Sequence, residues 1–292
     1  MSSENNWVIF DGSLVPDDRP VVPVVSRGLM YGDGIFETFR TYQGQVFLLE
    51  KHIERLHSGM ELLGMNLTSK LEIRAIKKSV YQLLQKNQLQ ETNAIIRLQV
   101  WRGGRRGYHP QENSGLHFSI TTSVCPDEFA YPTLKSVDIR RIPSQSLPSK
   151  VKLTNGINYI LAAKEAHAKG ADEALMLTVD DFVSETTIGN IFWVKGRAIF
   201  TPDEACDLIP GITREAICNI VGQSDQWDLH KGRFQLDHVF EADAVWMANS
   251  VRELLPIKSI DERTFDVNSA AVEKLKQAFK TLRTKNLESL IE

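Results

Sequence analysis

Three short stretches between residues 151 and 214 decide the fold. They read Val151-Lys152-Leu153-Thr154-Asn155, Ser184-Glu185-Thr186-Thr187-Ile188-Gly189-Asn190-Ile191-Phe192 and Pro210-Gly211-Ile212-Thr213-Arg214. The first stretch supplies an amine, and the second supplies a carboxylate beside an apolar strand. The third is a turn into a predicted helix, whose first N–H groups have no acceptor within the helix and therefore suit an anion.

These groups together match the needs of one cofactor. Pyridoxal phosphate requires an amine for its aldehyde, a counter-charge for its ring nitrogen and a seat for its phosphate. The stretches therefore predict that Lys152, Glu185 and the turn at Gly211 converge on pyridoxal phosphate. A lysine taken alone is far more often a solvated side chain than a nucleophile, so this prediction depends on the combination.

The composition is that of a globular protein with small-molecule partners. The chain has 292 residues, of which 42% are hydrophobic and 24% are charged, so it can bury a full core in two domains of ordinary size. The formal net charge of -3 argues against a nucleic-acid binder. No signal peptide is recognisable, and no apolar run approaches the roughly 18 residues that span a bilayer, so we expect a cytoplasmic protein without a membrane segment.

The spacing of cysteine and histidine predicts neither disulfides nor a metal centre. Cys125, Cys206 and Cys218 are odd in number and widely spaced. The seven histidines include no His-Glu-x-x-His pair. We therefore expect a reducing compartment and no bound metal.

The first half of the chain predicts a sheet with two helices. Asp11-Gly12 and Gln43-Gly44 are dipeptides that favour tight hairpins. Apolar spacing predicts an amphipathic helix from Leu49 and a second helix capped near Ser69. Further strands are predicted over residues 94–101 and 116–122.

Residues 35–42 predict a strand with two different faces. Alternation places Glu37 and Phe39 on one face, and Thr38 and Arg40 on the other.

Residues 126–134 form the predicted linker, because Pro126 and Pro132 interrupt any regular ladder. We therefore predict an N-terminal α/β domain over residues 1–125 and a C-terminal mixed α/β domain over residues 135–292. In the second domain, helices are predicted over 157–169, 213–221 and 271–282, and strands over 174–179, 191–194 and 244–248.

The surroundings of the lysine carry a family resemblance. Lys152-x-x-Asn155 is followed by Ile160-Leu161-Ala162-Ala163-Lys164-Glu165-Ala166 and Gly170-Ala171-Asp172-Glu173-Ala174. This arrangement resembles the cofactor segment of the class IV, or fold type IV, pyridoxal-phosphate enzymes, and the similarity runs from about Val8 to Ile257. The family includes D-amino-acid and branched-chain aminotransferases and 4-amino-4-deoxychorismate lyase.

The resemblance implies a fold and an assembly. The expected fold is a two-domain α/β structure, with a small N-terminal domain and a larger C-terminal domain of pseudo-barrel form. The expected assembly is a homodimer with its active site at the subunit interface.

The resemblance also implies roles for individual residues. Lys152 would bind the cofactor covalently and shuttle the substrate α-proton, and Glu185 would keep the pyridine nitrogen protonated. Arg55 would bind the phosphate through its planar fork, although helical spacing alone equally allows an exposed arginine. The phosphate site would be completed by Ile212, Thr213, Asn249 and Ser250.

Three further stretches resemble the lyases of this family. They are Tyr31-Gly32-Asp33-Gly34-Ile35-Phe36-Glu37-Thr38, Arg102-Gly103-Gly104-Arg105-Arg106-Gly107-Tyr108 and Asn249-Ser250-Val251-Arg252-Glu253-Leu254-Leu255-Pro256. Gly156 stands where many branched-chain aminotransferases have an aromatic residue. The group beside the cofactor's phenolic oxygen therefore stays unassigned, with Tyr159 a distant candidate.

The resemblance thus implies a lyase that forms 4-aminobenzoate and pyruvate from 4-amino-4-deoxychorismate, a step of folate biosynthesis. Thr38 would assist proton transfer to the departing group. Substrate contacts would come from Tyr31, Arg40, Arg102 and Arg105, because arginines suit the two carboxylates of such a substrate. A solvated basic hairpin is the alternative for the arginine-rich loop.

Two other functions stay open. An amino-acid transaminase, acting on D-amino acids or branched-chain amino acids, would use the same Lys152 and Glu185. A non-catalytic α/β protein that binds a phosphorylated metabolite is the more remote alternative.

Overall fold

The chain forms two compact units, neither of which is continuous in sequence. The computed structural model describes residues 6–111 and 114–291. The first unit comprises Met1–Asp127, Val151–Asn155 and Asn286–Glu292, and the second comprises Glu128–Lys150 and Gly156–Lys285. Both units combine helices with strands, which confirms the predicted α/β class.

The first unit is built on an antiparallel sheet. The elements of this unit are β1 (Trp7–Phe10), β2 (Ser13–Pro16), α1 (Arg27–Tyr31), β3 (Gly34–Tyr42), β4 (Gln45–Phe47), α2 (Leu49–Leu62), α3 (Ile73–Lys86), β5 (Ala94–Arg102), β6 (Leu116–Val124) and the C-terminal strand (Leu287–Glu288). Over the described residues the sheet has seven strands, in the spatial order C-terminal strand, β4, β3, β5, β6, β1, β2. Apolar side chains of α2 and α3 pack with one face of the sheet to form the core.

Both predicted hairpins are confirmed. Asp11 and Gly12 have φ angles of 51° and 86°, and Gln43 and Gly44 have φ angles of 50° and 79°. Positive φ at both positions gives the tight turn that matches the twist of the flanking strands.

The predicted alternation along β3 is also confirmed. Glu37 and Phe39 are buried, whereas Thr38 and Arg40 are only half-buried on the opposite face. β3 therefore has one face in the core and one outward face.

The predicted helix cap near Ser69 is wrong. Ser69 begins a separate 3-10 turn, Ser69–Leu71, and α3 follows Glu72, which makes no side-chain cap hydrogen bond. The 3-10 turn precedes α3 and brings the Leu71 side chain into the core, where it is fully buried.

The second unit is built on a larger mixed sheet. Over the described residues it has ten strands. They are β7 (Thr133–Ser136), β8 (Glu173–Leu177), β9 (Val183–Thr186), β10 (Asn190–Lys195), β11 (Ala198–Pro202), β12 (Asp228–Gly232), β13 (Ala244–Asn249), β14 (Glu253–Pro256), β15 (Ser259–Ile260) and β16 (Arg263–Thr264). The helices are α4 (Ile157–Ala168), α5 (Ile212–Gly222), α6 (Leu236–Phe240) and α7 (Ala270–Lys285).

The central strands of this sheet position polar groups at their ends. β10 pairs antiparallel with β9 and β13, so that Asn190 lies opposite Glu185 on one side and Ala248 on the other. The six elements predicted for this half are all present, and their ends differ from the predicted ones by only a few residues. α7 is longer and β8 is shorter than predicted.

The predicted linker contains the boundary between the units, after Asp127, but its last two residues already belong to β7. The division into domains of residues 1–125 and 135–292 stays a prediction. Within the described parts of the chain, no helix is both long and apolar enough to cross a membrane.

Candidate functional site

Lys152 lies on a segment that is fixed to the beginning of β3. The Phe36 N–H donates to the Lys152 carbonyl at 2.9 Å, and the Thr154 N–H donates to the Gly34 carbonyl at 2.9 Å. The Thr154 hydroxyl donates to the Gly32 carbonyl at 2.8 Å. The Lys152 amine is half-buried, and its Nζ lies 4.8 Å from the centroid of the Phe36 ring. The backbone thus holds this amine beside the outward face of β3.

Arg55 pairs with a buried carboxylate in the same unit. Glu37 accepts hydrogen bonds from Arg55 Nε at 2.7 Å and Nη2 at 2.8 Å, and from His52 Nδ1 at 2.8 Å. Burial alone would raise the pKa of Glu37, but the charge of Arg55 and the hydrogen bonds from His52 and Arg55 lower it to about 2. Glu37 is therefore ionised at neutral pH.

His52 is the third member of this cluster. Burial lowers the pKa of His52, and the positive charges of Arg55 and Lys152 lower it further, against the raising effect of Glu37. His52 is therefore neutral at pH 7, and it donates a hydrogen bond to Glu37 without adding a charge beside Lys152. The sequence placed Glu37 and Phe39 on one face of β3, but alternation could not show which face lies in the core or which helical side chains would meet Glu37.

The outward face of β3 carries a second cluster. Thr38 lies directly opposite Arg97 of β5, so the two side chains share that face. The guanidinium carbon of Arg97 lies 3.9 Å from the Phe36 ring centroid, and that of Arg40 lies 4.6 Å from the Tyr42 ring centroid. Arg97 was not among the predicted site residues, because its position depends on the register between two strands that are distant in sequence.

Arg102 is directed inward in the first unit. Its side chain is buried, donates to the Leu63 carbonyl and places Nε 3.6 Å from the Asp33 carboxylate. Arg27 bonds the same carboxylate at 2.7 Å. These contacts fix the Arg102 side chain in the first unit, and the substrate contact predicted for Arg102 stays a prediction.

Two residues of α1 form hydrogen bonds to the loop that follows Arg102. Arg27 donates to the Gly107 carbonyl, and the Gly107 N–H donates to the Tyr31 hydroxyl at 3.0 Å. Arg105 is exposed within this loop. Tyr31 therefore anchors the loop, and the substrate contacts predicted for Tyr31 and Arg105 stay predictions.

Glu185 lies in the second unit and has several donors around it. Its Oε1 accepts from the Tyr159 hydroxyl at 2.9 Å and lies 3.1 Å from Arg141 Nε. Its Oε2 accepts from the Ile209 N–H at 3.0 Å and lies within 3.4 Å of the Asn190 amide. The side chain is buried. The donors hold the carboxylate in one orientation, which is what a fixed counter-charge requires.

Tyr159 and Arg141 support each other around this carboxylate. Burial and the charge of Glu185 raise the pKa of Tyr159 well above its ordinary value, so its hydroxyl stays a donor. The Arg141 guanidinium carbon lies 4.6 Å from the Tyr159 ring centroid, and Arg141 also donates to the Asp207 carbonyl at 3.0 Å. Arg141 was not predicted from the sequence, since no motif marks it. Tyr159 was the distant candidate for the group beside the cofactor's phenolic oxygen. Its hydroxyl bonds Glu185, and the group beside the phenolic oxygen stays unassigned.

The beginning of α5 lies beside Asn190 of β10, the residue paired with Glu185 of β9. Gly211 precedes the helix, and a side chain there would overlap Asn190 Oδ1. The Asn190 amide donates to the Ile209 carbonyl at 2.8 Å. Ile212 and Thr213 are buried in the first turn, where helical N–H groups have no acceptor within the helix. The turn therefore has the form of an anion seat.

Asn249 and Ser250 lie at the end of β13. Asn249 Oδ1 accepts from the Val251 and Arg252 N–H groups at 3.0 and 2.7 Å, and its amide donates to the Ile188 carbonyl at 3.1 Å. Asn249 thus shapes the β13–β14 turn. Phosphate contacts by Asn249 and Ser250 stay predictions.

The predicted site residues fall into two groups, one in each unit. The first unit contains Lys152 together with Tyr31, Thr38, Arg40, Arg55, Arg102 and Arg105, and the second contains Glu185 together with Ile212, Thr213, Asn249 and Ser250. Convergence of the two groups on one cofactor stays a prediction.

Known proteins resemble the chain over nearly its whole length. It is 31% identical over 283 residues to a putative branched-chain-amino-acid aminotransferase of Methanocaldococcus jannaschii, covering 95% of this chain and 96% of that one. It is 31% identical over 286 residues to an aminodeoxychorismate lyase of Bacillus subtilis, covering 96% and 95% of the two chains.

A solved structure and a family description agree with these relatives. The branched-chain aminotransferase of Thermoproteus uzoniensis, solved with norvaline, has a TM-score of 0.88 and 26% identity, covering 98% of this chain and 99% of that one. The predicted fold type IV is therefore confirmed. Residues 34–260 match the family described as Amino-transferase class IV. The chain therefore belongs to aminotransferase class IV, a family of pyridoxal-phosphate-dependent enzymes.

Proposed function

We propose that this enzyme converts 4-amino-4-deoxychorismate to 4-aminobenzoate and pyruvate. The observation that carries the proposal is the outward face of β3, where the Lys152 amine and Arg97 both contact Phe36, and Thr38 lies opposite Arg97. An amine, a hydroxyl and a guanidinium on one face suit a substrate with an exchangeable amine, an oxygen leaving group and carboxylates. The relative named aminodeoxychorismate lyase supports the same reaction.

The side chains present fit pyridoxal phosphate by their chemistry. Bound pyridoxal phosphate supplies an electron sink for charge that develops on the substrate carbon. In the proposed site Lys152 would hold its aldehyde, and Glu185, which Tyr159 and the Ile209 N–H fix, would provide the counter-charge for its ring nitrogen. Arg55 and the first turn of α5 would hold its phosphate.

The proposed reaction moves two protons and breaks one C–O bond. Lys152 removes the proton from the carbon that carries the substrate amine, and the ring becomes aromatic as the bond to the enolpyruvyl oxygen breaks. Thr38 passes a proton to that oxygen, and the released enolpyruvate becomes pyruvate. Arg40 and Arg97 orient the carboxylates, since a guanidinium binds a carboxylate through two hydrogen bonds.

Transamination is the second candidate function. The Methanocaldococcus jannaschii relative, named as a putative branched-chain-amino-acid aminotransferase, is as similar as the lyase relative. The same Lys152 and Glu185 would serve, with the substrate amine passing to a 2-oxo acid instead of staying on the ring.

A direct assay separates the two reactions. The purified enzyme, loaded with pyridoxal phosphate, is given 4-amino-4-deoxychorismate, and 4-aminobenzoate is followed by its fluorescence while pyruvate is followed with lactate dehydrogenase. We expect equal amounts of both products. Turnover of L- or D-amino acids with 2-oxoglutarate or pyruvate, without any 4-aminobenzoate, would instead establish the transaminase.

Thr38→Val is the matched variant for the lyase. It keeps the side-chain shape but removes the hydroxyl, so we expect kcat to fall by about 10²–10⁴-fold while the cofactor stays bound. Thr38→Ser, which restores a hydroxyl, should recover most of the loss.

We propose that the enzyme is a homodimer, as the family resemblance implies, and that it works in the cytoplasm, as the sequence leads us to expect. Light scattering on the eluted protein tests the dimer, and fractionation of the source cells tests the location.

A further inference from the structure

We propose that Glu37 is a positioning residue for the cofactor phosphate: it orients the Arg55 guanidinium, so that loss of its charge weakens the binding of pyridoxal phosphate far more than that of pyridoxal. The inference rests on the proposed cofactor site but not on which reaction follows. Glu37 need not touch the cofactor, because it acts through Arg55.

The geometry of the pair is that of an oriented fork. Arg55 donates through Nε and Nη2 to the two carboxylate oxygens of Glu37, at 2.7 and 2.8 Å. Two parallel hydrogen bonds fix the plane of a guanidinium as well as its position. A guanidinium has five N–H donors, and the proposal assigns the phosphate to donors other than these two.

Glu37 is itself held by a second residue of α2. Its side chain is only 1% exposed, and His52 Nδ1 bonds its Oε2 at 2.8 Å. The His52 ring lies 5.3 Å from the Phe39 ring, which packs in the core. Arg55 and His52 are about one helical turn apart on α2. Their hydrogen bonds to the Glu37 carboxylate therefore link one turn of that helix to β3.

The same strand also fixes the Lys152 segment. Phe36, the residue before Glu37, donates its N–H to the Lys152 carbonyl at 2.9 Å. Arg55 and the Lys152 backbone are therefore hydrogen-bonded to two adjacent residues of β3, Glu37 and Phe36. This arrangement sets the distance between the group that holds the aldehyde and the group that holds the phosphate.

The test compares two ligands that differ only in the phosphate. Dissociation constants of pyridoxal phosphate and pyridoxal are measured by titrating the full-length protein, with cofactor absorbance as the signal. Glu37→Gln keeps the shape and removes the charge. We expect it to raise the Kd of pyridoxal phosphate by about 10–100-fold, the range for loss of a charged hydrogen bond, and that of pyridoxal by less than about threefold.

Two further variants control for damage to the fold. Asp11→Asn removes a carboxylate that bonds His117 and the Phe118 N–H at 2.8 and 2.9 Å on the β1–β2 hairpin, and it should change neither constant. Glu37→Asp keeps the charge on a shorter side chain. It should give a smaller phosphate-dependent loss, and it keeps the comparison possible where Glu37→Gln folds poorly.

A double variant tests whether Glu37 acts through Arg55. Arg55→Lys keeps a positive charge but removes the fork, so Glu37→Gln added to it should raise the Kd of pyridoxal phosphate by less than about threefold. Equal losses for both ligands, no loss for either, or full additivity with Arg55→Lys would overturn the proposal. Wild-type protein that does not prefer pyridoxal phosphate would overturn it together with the proposed phosphate site, whereas intact preference without lyase activity overturns only the proposed reaction.

Discussion

At the scale of single residues, Lys152 owes its position to its backbone. The Phe36 N–H donates to the Lys152 carbonyl and the Gly34 carbonyl accepts from the Thr154 N–H, so truncating the lysine side chain leaves these contacts in place. The role of Lys152 was predicted from its sequence neighbours. Arg97, which lies over Phe36, and Arg141, which lies beside Glu185, were not predicted, because no spacing rule connects them to those residues.

Lys152→Ala should abolish covalent cofactor binding without unfolding the protein. We expect borohydride reduction to label wild-type protein on the peptide that contains Lys152, and the variant to take up no label. Its kcat should fall by at least about 10²–10⁴-fold, the contribution of a positioned base. Lys150→Ala removes a nearby exposed lysine and serves as the control. Label found on another peptide would show that a different lysine is the nucleophile.

His52 should make stability depend on pH. Its pKa in the folded protein lies below the ordinary 6.5, so below pH 6.5 the unfolded chain binds more protons and the folded state loses stability. The loss reaches at most about 1.4 kcal/mol per pH unit. Glu37, whose pKa falls from 4.5 to about 2, adds a further loss only below pH 4.5.

The measurement is the free energy of unfolding in denaturant at pH 7 and pH 5, for wild type and His52→Asn. Wild type should lose more stability between the two pH values than the variant, which has no imidazole to protonate at this position. Parallel losses in the two proteins would mean that His52 does not titrate in this range.

At the scale of elements, period and turn chemistry were sufficient to find β1 to β6, most of the helices and three strands of the second unit, β8, β10 and β13. The other strands of the second unit and the C-terminal strand were not predicted, because they are short or lack a clear alternation. The alternation of β3 already placed Glu37 and Thr38 on opposite faces, and the structure shows that the Glu37 face is the buried one. Alternation gives the face of a strand but not its neighbour, so the pairing of Thr38 with Arg97 was out of reach. The cap of α3 was misplaced because a polar residue before an apolar run is equally compatible with a 3-10 turn.

The start of α5 depends on a close approach that only glycine allows. A side chain at Gly211 would overlap Asn190 Oδ1, and Asn190 bonds both Ile209 and Glu185. Gly211→Ala should therefore displace Asn190 and weaken the binding of pyridoxal phosphate by about tenfold or more, as expected for a shift of one well-placed hydrogen bond. The measurement is the Kd from cofactor absorbance.

Gly222→Ala is the matched control at the other end of α5. A side chain there would meet nothing within 4 Å, so it should leave the Kd unchanged and stabilise the helix by up to about 1 kcal/mol. Equal effects of the two substitutions on cofactor binding would refute a special role for Gly211.

At the scale of the whole molecule, the chain returns to its first unit at its end. The C-terminal strand pairs Leu287 with Phe47 and Glu288 with Val46 of β4. A strand of two residues has no measurable period, and its partner lies some 240 residues away. Sequence patterns therefore predicted a linear division into two domains, whereas the first compact unit also includes Val151–Asn155 and Asn286–Glu292.

Leu290 gives a direct test of this return. Its side chain is 6% exposed in the core of the first unit, whereas the neighbouring Ile291 is 57% exposed. Leu290→Ala should lower the free energy of unfolding by about 2–5 kcal/mol, the usual result of emptying a buried leucine site. Ile291→Ala should change it by less than about 0.5 kcal/mol. Hydrogen exchange locates the effect: in Leu290→Ala, protection should fall in β4 and α2, which pack in the same unit, before it falls in β10 or β13. Loss of protection confined to the second unit, or equal costs for the two substitutions, would show that the C-terminal residues do not stabilise the N-terminal sheet.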